Sequence, residues 1–346
     1  MSLPALFRSP QAFRSAFVEG LIPLIAAEGL GTFILALGNA AFDAHIHHLL
    51  APRLLQRFGE LSERYRAALR DGRTPPDPHD DLLVFLELVA IGIEDLPTAC
   101  FRRAGPWELQ FNPLRALRPA RASAGAVRTL RAAFDADGFH FDRPFLRREV
   151  LWEGELLGRP GRLLYNKFPF VDLHALWVPE PAAWRPQFLD ERAHADAWQL
   201  AAALGDDLPG LGLGYNAYGA YASVNHLHFQ WFVRPEPLPI EDDCWEHNGG
   251  RLGYPLPCLR FTDAQEAWRA FAKLHDAGRT YNALYRRGVL YLVPRAFQGR
   301  YAHSAWTQGF AWAEVAGAVT TFNLDDFQRL DSRAVEAELR RLQPPA

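Results

Sequence analysis

Near Arg102 the chain changes rhythm, and that change constrains its fold more than any other feature. Before it, apolar residues recur at helical intervals. "LLQRFGELSERYRAALRDG" carries leucines and aromatics three and four positions apart and stops at Gly72. "DGRTPPDPHDD" reads as a loop by its Pro/Asp content, with a further helix around "DLLVFLELVAIGIEDL". After Arg102 come short apolar runs punctuated by Gly, Pro and Asp: "PWELQFNPL", "GRLLYNKFPF", "HALWVPEP", "NHLHFQWFV", "GVLYLVPRAF" and "EVAGAVTTF". These predict strands. "ERAHADAWQLAAAL", "DAQEAWRAFAKLHDAG" and "DSRAVEAELRRL" predict helices among them. No regular strand–helix alternation emerges, so the expected class is α+β, a largely antiparallel sheet flanked by helices.

The expected division is a helical region over 1–80 and a second unit over 81–346. At 346 residues the chain exceeds the usual single-domain size, which raises the question of duplication. "YNKFPFVDLHALWVPEP" and "YNALYRRGVLYLVPRAF" both begin Tyr-Asn and run through an apolar strand to Val-Pro. If the echo is a repeat, the halves are 81–240 and 241–346, and the second copy lacks a counterpart of His174.

"GLIPLIAAEGLGTFILALGNAAF" is long enough to cross a bilayer, but Glu28, Pro23 and several glycines interrupt it. Buried helices are expected, and no membrane association. A net charge of −3 lacks the basic signature of a nucleic-acid binder. Only Lys167 and Lys273 are lysines among 37 basic residues. Arginine suits bidentate phosphate binding, but codon usage explains such a bias more simply. Cys100, Cys244 and Cys258 form no CxxC and no disulfide framework. With no signal-peptide pattern at the start, a cytoplasmic location is expected.

In "SVNHLHFQWF" side chains alternate between two faces if the segment is a strand. Leu227, Phe229, Trp231 and Val233 then share a core face, while Val224, His226, His228, Gln230 and Phe232 share the other. Burying three polar groups without partners costs about 1–3 kcal/mol each. A solvated sheet face would remove that cost. A metal held by His-x-His is a second account, but the sequence nominates no further ligands. In a third, a neutral imidazole attacks phosphorus and a nearby amide holds the charged oxygens.

"GYNAYGAYASVNHLHFQWF", with a serine, two residues and then His-x-His-x-Gln, resembles the active-site segment of the GDP-hexose phosphorylases. That group includes plant GDP-L-galactose and animal GDP-D-glucose phosphorylases and lies in the histidine-triad superfamily with galactose-1-phosphate uridylyltransferase. Asn166, Pro169, His174 and Pro179 resemble its upstream strand, and Asn112, Arg115, Arg118 and Pro119 its Asn-x-x-Arg…Arg-Pro segment. "YNALYRRGVLYLVPRAF" and "WAEVAGAV" resemble its C-terminal half, so the likeness runs from about residue 85 to the end. Lys167, where a small or apolar residue is expected, and the turn "RRG" depart from the pattern.

The resemblance implies a histidine-triad-like fold and a nucleotidyltransferase acting on a nucleoside diphosphate sugar and inorganic phosphate, with no metal or other cofactor. It implies that His228 is the nucleophile, that His226 orients it, and that His174 lies nearby. Gln230 and Ser223 would contact phosphate oxygens, and Asn166, Lys167, Arg115, Arg118 and Asn225 would bind substrate. A dinucleoside polyphosphate phosphorylase or hydrolase, or a non-catalytic nucleotide-binding protein, are the alternatives. A homodimer stays open, as does the role of the first 80 residues. His45, His47 and His48 in "HIHH" are expected on a helix surface; His140, His247 and His303 in ordinary loop or core positions; and Glu241, Asp242 and Asp243 in a solvated turn.

Overall fold

Ser9 accepts a hydrogen bond from the backbone N–H of Ala12 and Pro10 follows at the first helical position, which starts helix α1, Pro10–Ala26. The computed structural model describes residues 3–118 and 127–344; Pro119 lies outside them. Helix α2, Leu30–Phe42, is buried almost all round, as a helix with no polar face must be. Residues 27–29 separate it from α1, so the long apolar stretch is two helices. Among the described residues no helix is long and apolar enough to cross a membrane. Helices α3, Ala44–Arg70, and α4, His79–Ile91, complete the helical region. His45 and His48 are exposed on α3.

From there the chain runs through β1 (Cys100–Ala104), β2 (Trp107–Phe111), α5 (Pro113–Ala116), β3 (Val150–Leu156), β4 (Arg159–Tyr165) and β5 (Ala175–Pro179). It continues with α6 (Glu191–Leu204), β6 (Leu211–Asn216), β7 (Phe229–Val233), β8 (Leu259–Phe261), α7 (Ala264–Asp276), β9 (Tyr281–Arg286) and β10 (Val289–Pro294). Helix α8 (Trp312–Val315), β11 (Ala318–Thr321), α9 (Leu324–Arg329) and α10 (Ser332–Arg341) end it. Eight strands form one sheet in the order β3-β4-β5-β7-β6-β9-β10-β8, every neighbouring pair antiparallel. A small sheet, β1-β2-β11, pairs β11 parallel to β2. The α+β class with a largely antiparallel sheet is as expected.

One face of the large sheet is covered by helices. Leu227, Phe229, Trp231 and Val233 join Phe7, Phe13, Phe17 and the α2 side chains in one core. The Trp231 ring lies 5.8 Å from Phe13 and 5.6 Å from Phe7. The opposite face carries Phe232, whose ring stacks 5.1 Å from Trp312 in a second core shared with the small sheet. The N-terminal helices therefore share a continuous hydrophobic core with the sheet.

Two expectations are corrected. The predicted histidine strand begins only at Phe229; residues 226–228 are irregular. The pairing of β5 with β7 ends at Trp177 opposite Phe229, and side-chain and loop groups take over the hydrogen bonds of Leu227 and His228. The two Tyr-Asn/Val-Pro segments take different positions in their hairpins. Tyr165 closes β4 and pairs with Ala175, leaving Pro179 at the far end of that hairpin opposite Gly161. Tyr281 opens β9 and pairs directly with Pro294. In "EVAGAVTTF" only Ala318–Thr321 is strand, since Trp312–Val315 turns as a helix.

Candidate active site

Three buried imidazoles converge at the inner end of β7, and hydrogen bonding assigns each a tautomer. His228 Nδ1 lies 2.8 Å from the carbonyl of His226. A carbonyl can only accept, so Nδ1 carries the proton and Nε2 keeps its lone pair. His226 accepts the Phe141 N–H at Nδ1, 3.1 Å, so its proton is on Nε2. His174 accepts the Phe170 N–H at Nδ1, 3.3 Å, and places Nε2 2.7 Å from Gln230 Oε1. The Nε2–H of His174 therefore donates to Gln230. Asn166 Nδ2 also donates to Gln230 Oε1, 3.4 Å, and Asn166 Oδ1 accepts the Phe168 N–H, 3.0 Å. With its oxygen engaged twice, Gln230 keeps its NH₂ as the donor end of the amide.

All three rings are neutral at pH 7. Burial pushes His228 and His226 down to about 4 and His174 down to about 3. Desolvation is the largest cause in each. His228 and His140 further depress His226, while hydrogen bonds to the His226 carbonyl and to Gln230 partly offset the effect at His228 and His174. A solvated histidine face is thus excluded. Among the described residues no group of three or more His, Cys, Asp or Glu side chains could hold a metal ion.

The remaining candidates divide. The Arg115 guanidinium lies 4.5 Å from the centre of the Phe170 ring and donates to the Phe168 carbonyl, 2.8 Å; Phe170 in turn packs edge-on to His174 at 4.3 Å. Arg118 sits 5.9 Å from the Phe168 ring. Ser223 is exposed on the loop that leads to the histidines. Two residues turn elsewhere. Lys167 forms an ion pair with Asp81 of α4. Asn225 accepts the Gln187 N–H, 3.0 Å, and donates to the carbonyls of Ala133, 2.7 Å, and Ala132, 3.4 Å, so its amide ties loops together.

Several neighbours have no signal in the sequence. The Phe141 ring lies 4.9 Å from His228 and 5.8 Å from His226. His140, expected in an ordinary position, is buried 6.1 Å from His226. Gln187 bonds the backbone of His228 on both sides. Asn39 of α2 donates to the Asn166 carbonyl, 2.9 Å, and a Cβ on Gly38 would stand 2.6 Å from the Lys167 carbonyl. Only glycine lets α2 approach the Asn166 loop this closely. The N-terminal helices thereby back the site directly. Glu241 is no solvated residue: it pairs with Arg286 at 2.9 Å and accepts the Leu238 N–H.

Residues 108–232 match the family described as GDPGP1-like, N-terminal domain, a span that holds every candidate discussed. The chain is 30% identical over 207 residues to GDP-D-glucose phosphorylase 1 of Macaca fascicularis, covering 54% of this chain and 53% of that protein. It is 32% identical over 181 residues to the Homo sapiens protein of the same name, covering 48% and 46%. Against GDP-L-galactose phosphorylase 2 of Arabidopsis thaliana it is 38% identical over 82 residues, covering 24% and 19%. Over this region the chain is similar to the GDP-hexose phosphorylases. It spans about half the length of the animal relatives it matches. The fold is shared more widely: yeast Ap4A phosphorylase Apa2 superimposes with a TM-score of 0.52 at 16% identity, covering 77% of this chain and 95% of that one. The His-x-His-x-Gln segment leads into β7 of that shared fold.

Proposed function

We propose that the protein is a nucleotidyltransferase that converts a GDP-hexose and inorganic phosphate into hexose 1-phosphate and GDP. The observation that carries this reading is the state of His228: a buried, neutral ring whose Nδ1–H is held by a carbonyl, leaving the Nε2 lone pair as nucleophile. In the first displacement Nε2 bonds to the α-phosphorus and the bridging P–O bond breaks, releasing hexose 1-phosphate. In the second, a phosphate oxygen attacks the same phosphorus, the P–N bond breaks and GDP leaves. Two inversions retain configuration and give ping-pong kinetics.

Gln230, its oxygen held by His174 and Asn166, offers N–H donors to the non-bridging oxygens as charge accumulates there. Arg115, Arg118 and Ser223 are the candidates for phosphate contacts. Lys167 and Asn225 act indirectly, by fixing the loops on which the site stands. The names of the relatives support a GDP-hexose as donor.

Brief incubation with α-labelled GDP-glucose, followed by denaturation, is expected to trap a labelled, acid-labile adduct that inorganic phosphate discharges as GDP. His228→Ala abolishes it and lowers kcat by roughly 10³-fold or more. An adduct that survives His228→Ala defeats the assignment. Faster turnover of diadenosine tetraphosphate than of any GDP-hexose would move the enzyme to the other activity class.

A further inference from the structure

A nucleophile that lies just outside regular structure needs something to hold it. β7 begins at Phe229, so His228 lacks the ladder that anchors Gln230. The chain supplies a substitute 41 residues upstream in sequence. Gln187 is buried, and its carboxamide does what a neighbouring strand would do. Oε1 accepts the His228 N–H at 2.9 Å, and Nε2 donates to the His228 carbonyl at 3.2 Å. Nε2 also donates to the carbonyl of Asn216, the last residue of β6, at 2.9 Å. Its own N–H is held by Asn225.

The neighbouring residue extends the imitation. The Arg185 carbonyl accepts the Leu227 N–H at 2.8 Å, and the Arg185 side chain is pinned by Asp190 at 2.7 Å and Glu180 at 3.4 Å. The strap 184–187 thus grips the backbone of residues 227 and 228 in sequence. The orientation of the His226 carbonyl, which sets the tautomer of His228, follows from that grip.

We propose that Gln187 is the positioning residue of the nucleophile: its carboxamide stands in for the missing strand, holding His228 so that Nδ1–H meets the His226 carbonyl and Nε2 faces outward. The proposal rests on His228 being the nucleophile, but its physical content, the tautomer and orientation of one ring, can be read without turnover. Misplacing a reacting group by about 1 Å costs on the order of 10²-fold.

The test compares wild type with Gln187→Met, which keeps the volume and loses the hydrogen bonds, and Gln187→Glu, which keeps an acceptor for the His228 N–H and loses the donors. Long-range ¹H–¹⁵N imidazole spectra, with His228→Ala to assign the ring, are expected to show Nδ1–H in wild type. In Gln187→Met the two tautomers should mix, with an intermediate result in Gln187→Glu. With GDP-glucose and phosphate, kcat is expected to fall about 10²-fold in Gln187→Met while KM changes less than threefold. A wild-type tautomer that persists in Gln187→Met, or a kcat within threefold of wild type, overturns the proposal. If wild type shows the Nδ1–H tautomer and Gln187→Met loses it, yet no nucleotide sugar is turned over, the positioning role stands and the proposed reaction falls.

Discussion

The two connections that begin with Tyr-Asn and end with Val-Pro are alike in letters and opposite in use. From Asn166 to His174 the chain spends nine residues between β4 and β5. Those residues bring Asn166 and His174 to Gln230 and let Phe170 close on the His174 ring. Between β9 and β10 it spends two, Arg287 and Gly288, the latter at φ +67°, as a tight hairpin requires. Asn282 then sits 1% exposed, donating to Asn216 Oδ1 at 2.7 Å and the Ala220 carbonyl at 3.1 Å, and accepting from Arg295 at 3.0 Å. One asparagine faces the histidine cluster and the other locks two strands to a buried guanidinium. Loop length, not the flanking residues, decides which polar groups a sheet delivers to its edge.

The sharpest break between the two regions is in acid. His174, His226 and His228 lie in the first, and burial holds them at about 3, 4 and 4; the unfolded chain protonates them near 6.5. The folded state therefore binds fewer protons throughout the interval. This stabilisation is complete above pH 6.5, is lost progressively as pH falls from there, and the loss levels off once pH has fallen through 4 and then 3. Guanidinium unfolding at pH 7 and pH 5 is expected to differ by roughly 5 kcal/mol for the three together. A stability that stays level across those two pH values would contradict the neutral, buried rings.

Next in size is His174→Ala, which removes the donor that orients Gln230. About 10²-fold should be lost from kcat, with the unfolding midpoint falling modestly. A loss confined to KM would mean that the Gln230 amide is not held for the transition state. In the second region, Asn282→Ala leaves Arg295 short of one acceptor in a buried setting. A loss of about 1–3 kcal/mol in stability is expected, with adduct formation at His228 within a few-fold of wild type. Abolition of the adduct by this change would show that both regions serve the chemistry. The smallest effect belongs to Gly288→Ala. The site is open, so only the left-handed backbone is strained, for about 1 kcal/mol of stability, read as a small drop in the thermal midpoint, and no change in kcat.

The alternation in "SVNHLHFQWF" is a local property and was legible: Leu227, Phe229, Trp231 and Val233 do enter the helix-covered core, although the strand starts later than their spacing predicts. Helices α6, α7 and α10 were legible for the same reason, each with an Asp N-cap and a periodic apolar face. His174 entered through family resemblance, because nothing local marks one histidine among twelve. Gln187, Phe141 and Asn39 left no trace. Each acts on a group 41, 85 or 127 residues away, and no window of sequence contains both partners.

The chain's own letters determined which elements form, which face of each is apolar, and that two histidines and a glutamine must be buried together or not at all. Tertiary structure alone decided what they became. Packing α2 against the Asn166 loop, laying residues 184–187 across the histidines and turning Phe141 onto their rings removed water, settled the tautomers and left one nitrogen lone pair available. Those are consequences of desolvation and of hydrogen bonds between distant segments, and neither exists until the chain has folded.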